Sequence, residues 1–69
     1  MKFIPGTKFI NNTTSNTKLF KRGVVYNLAN IKLVEEKYEY TFILPDKTPK
    51  KVKFESIKIA DEFLQTILV

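Results

Sequence analysis

Apolar positions along the chain change period twice, and those changes outline the fold. From Val24 the apolar residues alternate as Val24, Tyr26 and Leu28, then resume on the opposite parity at Ala29, Ile31 and Leu33. A parity switch inside one extended run predicts a β-bulge or sharp bend near Ala29-Asn30, because strand side chains repeat every two residues. "YEYTFIL" places Tyr38, Tyr40, Phe42 and Leu44 on one face and Glu39, Thr41 and Ile43 on the other, the pattern of a half-buried strand. "KKVKF" is a further short strand with Val52 and Phe54 inward and Lys51 and Lys53 outward.

The C-terminal segment switches to helical spacing. Ile59, Ala60, Phe63, Leu64, Ile67 and Leu68 fall on one stripe, Ser56 is a suitable N-cap, and Asp61 and Glu62 are expected in the early turns. A helix of about 12 residues is marginal alone and must pack on the sheet.

Turn chemistry supplies the punctuation. Pro5-Gly6 separates two short extended pieces, "VEEK" forms the next turn, and "PDKTP" (residues 45–49) closes a hairpin between the last two strands. "NNTTSNT" (residues 11–17) has no apolar anchor and reads as a polar, mobile loop whose side chains satisfy their own backbone. The order is a run of four or five strands and then a helix. The predicted class is mainly β (α+β): a small antiparallel barrel or strongly bent sheet of 4–5 strands with one C-terminal helix, spanning residues 1–69 as a single domain. Its expected core is Phe9, Phe20, Tyr26, Leu28, Ile31, Tyr40, Phe42, Leu44, Val52, Phe54, Phe63, Leu64 and Ile67.

The segment "LFKRGVVYNL" (Leu19 to Leu28) resembles the part of SH3-like small β-barrels in which an apolar residue, a basic turn and a glycine precede a curved strand. The resemblance covers about ten residues and implies barrel-like architecture only. The family's Ala-Leu-Tyr motif, tryptophan pair and late Pro-x-x-Tyr are missing from this sequence, so binding of proline-rich peptides is not implied.

Composition narrows the chemistry. A chain of 69 residues with 43% hydrophobic content can fold, although it buries only about 60% of its unfolded surface. With no histidine and no cysteine, disulfides, the usual transition-metal ligands and the commonest general base are all missing. The adjacent acids Glu35-Glu36 and Asp61-Glu62 do not match a Ca²⁺ or Mg²⁺ loop, and two glycines cannot make a phosphate-cradling loop. The expectation is a protein without enzymatic activity, cofactor or metal. No stretch approaches a transmembrane helix or a signal peptide, so a cytoplasmic location is expected, in the host cytoplasm if the chain is viral. The abundance of Lys, Asn and Ile would suit an AT-rich, phage-like genome. Overlapping glycosylation sequons at Asn11 and Asn12 are then coincidental.

Charge is the remaining signal. Twelve basic residues against seven acidic give a net charge of +5 and a pI near 9.6, enough to steer an anionic partner. Lys21 and Arg22 form one basic group, and Lys47, Lys50, Lys51 and Lys53 a second. Together with Tyr38 as a neighbouring aromatic they make up the candidate basic binding surface. Lysines beside exposed aromatics on a sheet hold single-stranded nucleic acid in several folds. Against that, lysines also blunt sheet edges, and a single arginine disfavours base-specific readout. The apolar end Ile67, Leu68 and Val69 is the candidate protein-interaction face, for a homodimer or an unidentified protein partner. The resulting expectation is a non-enzymatic binding module for protein, with sequence-nonspecific phosphate binding to nucleic acid as the alternative.

Overall fold

A computed structural model describes the backbone of residues 3–67 and the side chains of residues 3–65. Four strands, β1 (Lys8–Ile10), β2 (Val25–Val34), β3 (Lys37–Ile43) and β4 (Pro49–Phe54), form one antiparallel sheet in sequence order, and α1 (Ile57–Ile67) follows. This is the mainly β, α+β architecture that the apolar pattern predicts.

The parity switch is a β-bulge. Leu28 pairs with Phe42 and Asn30 with Thr41, so Ala29 is one extra residue opposite the β3 backbone. Ala29 and Asn30 are both exposed, while Leu28 and Ile31 on either side face the core. β1 reaches the same point, since Gly6 N–H donates to Leu28 O at 2.7 Å and Leu28 N–H to Thr7 O at 2.8 Å.

Two hairpin turns use left-handed backbone without glycine. Glu35 and Glu36, between paired Val34 and Lys37, have φ of 50° and 68°, the geometry of a type I′ turn. In the β3–β4 turn Lys47 has φ 71°, and its N–H donates to Leu44 O at 2.8 Å. Asp46 accepts the Thr48 N–H there at 3.0 Å.

The core lies on one side of the sheet. Phe9, Tyr26, Leu28, Tyr40, Phe42, Val52 and Phe54 from the strands meet Ala60 and Leu64 of α1, with Phe20 inserted from the loop. All six phenylalanines and all three tyrosines belong to this cluster or pack against it. Many meet edge to face, as in Phe20–Tyr26 (centroids 5.0 Å, 89°) and Phe20–Phe42 (5.3 Å, 87°). Such pairs contribute about 0.5–1.5 kcal/mol each beyond area burial. Of the expected core, Ile31, Leu44 and Phe63 are only partly buried, Ala60 is an addition, and the Ile67 side chain lies outside the described residues.

Ser56 caps α1 as expected, accepting the Ile59 N–H at 3.1 Å. Asp61 and Glu62 fall in the second turn, and the first turn holds no acid. The dipole effect decays within one turn, so it does not explain their placement.

The loop at residues 11–17 is not the anchorless segment its composition suggests. Asn11 is 0% exposed, and its Nδ2 donates to Ser15 O (3.0 Å) and Phe20 O (2.8 Å). Its Oδ1 accepts from the N–H and the hydroxyl of Thr13. The anchor is polar, and it fixes Phe20 over the core. Among the described residues no helix is long and apolar enough to cross a membrane.

Candidate functional site

The sheet face turned away from the core is where lysines collect. Three cross-strand rows lie on it: Lys8–Asn27–Ile43, Asn30–Thr41–Lys51 and Lys32–Glu39–Lys53. Glu39 is buried between the two lysines of its row, and Lys32 Nζ lies 3.8 Å from Glu39 Oε1. One acid thus neutralises part of the charge at the centre of the face, leaving Lys51 and Lys53 exposed on the edge strand.

The residues of the expected basic surface are separated by this geometry. Lys51 and Lys53 share the outer face. Lys50 pairs with Phe42, has the parity of Val52 and Phe54, and is half-buried on the core side. Tyr38 pairs with Phe54 and packs against the core cluster, so it does not share a face with Lys51 and Lys53. Alternation along one strand decides both cases.

Lys21 and Arg22 sit elsewhere again. They form the exposed crest of a turn in which Val24 N–H donates to Lys21 O at 3.3 Å and Gly23 has φ 80°. A Cβ at Gly23 would meet nothing within 4 Å, so glycine is required there by backbone conformation alone. The crest is fastened on both sides: Lys21 N–H donates to the Tyr26 hydroxyl at 2.7 Å and Gly23 N–H to Asn11 O at 3.0 Å. Asn11 continues β1, at the sheet edge opposite β4. In strand order, β2 and β3 therefore stand between this crest and Lys51. The two basic groups are not neighbours within the sheet.

Lys47 does gain a partner that the sequence did not single out. The first outer row ends in a depression of about 490 Å³ lined by Lys8, Val25, Asn27, Ile43, Leu44, Pro45 and Lys47. Its walls are aliphatic, two lysines border it, and no carboxylate lines it. Its volume lies within the roughly 300–1,000 Å³ range of ligand-binding clefts. Asn27 Oδ1, buried at this site, has no hydrogen-bond partner among the described residues. A buried acceptor left unmet costs about 1–3 kcal/mol, so a polar group in an aliphatic wall is a feature that packing does not explain. Lys8, Val25, Asn27 and Ile43 escape a reading of local sequence, since only the strand register brings them together.

Two titratable groups depart from ordinary behaviour. Burial, then the nearby Asp61 and Tyr38, raise the Tyr40 phenol above its usual value, and the Tyr40 hydroxyl has no hydrogen-bond partner among the described residues. Hydrogen bonds from the Thr48 side chain and backbone lower the Asp46 carboxyl. Neither is among the residues lining the depression. Among the described residues no cluster of three or more Asp or Glu is placed to hold a metal ion. Leu68 and Val69, with the side chain of Ile67, lie outside the described residues, so the expected C-terminal face has no geometry to report.

No protein-family model matches the chain, and neither a curated protein nor a solved structure shows significant similarity to it.

Proposed function

We propose that the protein is a non-enzymatic, cytoplasmic interaction module that binds another protein through the outer face of its sheet. The observation that carries this reading is the segregation of side chains between the two faces. Every phenylalanine and tyrosine is committed to the core cluster or its margin, while the opposite face presents Lys8, Lys51 and Lys53 and carries an aliphatic depression bordered by Lys8 and Lys47. Single-strand nucleic-acid binders stack bases on exposed aromatics, and this lysine face offers none. Apolar contact rimmed by positive charge suits a protein surface carrying acidic residues.

The four-strand antiparallel arrangement with a terminal helix is compatible with a small SH3-like fold, and we read the architecture that way. The peptide groove of that family does not come with it. A homodimer through the C-terminal apolar residues is not needed for this reading.

A photo-crosslinking amino acid in place of Lys51, compared with one at exposed Lys58 on α1, tests the proposal in lysate of the producing cell. Nuclease-resistant protein adducts at position 51 and not at 58 are expected. Adducts consisting only of nucleic acid would overturn the reading in favour of phosphate contact, as would protein adducts of equal yield at both positions.

A further inference from the structure

We infer that the depression between β1 and the β3–β4 turn is the specificity pocket of this module, and that it receives an extended acidic segment of a partner protein, one aliphatic side chain inserted and carboxylates flanking it. The inference rests on the protein-binding reading and narrows it to one place and one chemistry. Val25, Ile43, Leu44 and Pro45 supply an aliphatic lining that would be desolvated by a branched side chain. Lys8 and Lys47 stand on β1 and on the β3–β4 turn, so a chain crossing the depression meets a cation on each side. The acid nearest in sequence, Asp46, accepts the Thr48 N–H and is engaged within the turn.

The turn holds its lysine in a defined position. Pro45 fixes one φ, Lys47 takes a left-handed conformation, and three hydrogen bonds close the segment: Lys47 N–H to Leu44 O, Leu44 N–H to Thr48 O, and Thr48 N–H to Asp46 Oδ1. A rigid frame lowers the ordering cost of binding. Asn27 adds a polar point to the aliphatic wall. Rotation of its amide would offer the unpartnered Oδ1 to a backbone N–H of the occupant.

The same two lysines would also attract phosphate, but an aliphatic lining gains nothing from a sugar-phosphate chain. Nucleic acid is therefore an outcome of the test.

The test is an amide NMR titration of the full chain with a capped hexapeptide alternating glutamate and leucine. The same peptide with lysine for glutamate and a short oligonucleotide serve as comparisons. The acidic peptide should shift the amides of Val25, Asn27, Ile43 and Leu44, and Lys8→Glu with Lys47→Glu should weaken it about tenfold. Asn27→Ala should weaken it while leaving the rest of the spectrum in place, which keeps the test readable if the charge reversals perturb folding. No shifts at millimolar peptide, equal shifts with the lysine peptide, or shifts confined to Lys51 and Lys53 would overturn the pocket assignment. Saturable oligonucleotide shifts at these amides, with none from the acidic peptide, would overturn it equally. The crosslinking result at position 51 stands apart from this titration, so loss of the pocket and loss of the protein-binding reading are distinguishable.

Discussion

The side-chain amide of Asn11 donates to the carbonyl of Phe20, nine residues away, at 2.8 Å, and both residues are fully buried. A polar residue thus positions the aromatic ring that touches Tyr26, Phe42 and Phe63. Asn11→Ala should cost about 2–3 kcal/mol, because it strands the Phe20 and Ser15 carbonyls and the Thr13 N–H together. Urea denaturation followed by tyrosine fluorescence measures it. A cost below about 0.5 kcal/mol would show that the loop does not depend on this residue.

The β2–β3 turn offers the opposite case, a position where the native residues are poor for their conformation. Left-handed backbone is costly for glutamate and easy for asparagine and glycine. Glu35→Asn with Glu36→Gly should therefore raise stability by about 1 kcal/mol. Both side chains are exposed, so no packing is lost, and the thermal midpoint reports the gain directly.

The basic crest is expected to respond to a residue outside it. Tyr26→Phe removes the acceptor of the Lys21 N–H while retaining the buried ring. It should cost about 1 kcal/mol and speed amide exchange at Lys21 without changing exchange in β3. Uniform acceleration across the sheet would mean that the bond supports the whole fold and not this turn.

Stability should vary with pH through the two perturbed groups, in opposite directions. Tyr40 is raised in the folded state, so its contribution is complete below the ordinary tyrosine value near 10 and is lost as pH rises from there through the folded value. Tyr40→Phe should flatten that alkaline loss and be neutral or slightly stabilising at pH 7, since the hydroxyl it removes is buried without a hydrogen bond among the described residues. Asp46 is lowered, so its contribution is complete above about 3.9 and disappears as pH falls through the folded value. Thermal melts across the pH range for the parent chain, Tyr40→Phe and Asp46→Asn resolve the two limbs.

What local pattern could foretell here, and what it could not, divides along a physical line. Alternation at Tyr38 to Leu44, the parity switch after Leu28 and the Ser56 cap are short-range features, and each is found where the apolar spacing puts it. Asn11 was opaque because a buried asparagine and a loop asparagine are identical in sequence. Only the return of the chain at Phe20 makes the difference. The binding surface was opaque for a related reason. Lys50 and Lys51 are adjacent in the chain yet belong to opposite faces, whereas Lys8 and Lys47, 39 positions apart, border one depression. Grouping charges by sequence proximity fails on a sheet, where alternation separates neighbours and register assembles distant residues.

The extra residue at Ala29 makes β2 behave like a reading frame. Upstream of it, the even-numbered Tyr26 and Leu28 face the core; downstream, the odd-numbered Ile31 does. Were the same residues to run on without the bulge, strict alternation would turn Lys32 inward and Ile31 to the surface. Deleting Ala29, by contrast, would leave Ile31 opposite Tyr40 and simply make the strand regular. The bulge therefore absorbs one extra residue, so that Leu28 and Ile31 on either side of it both face the core while Lys32 stays opposite Glu39 on the outer face.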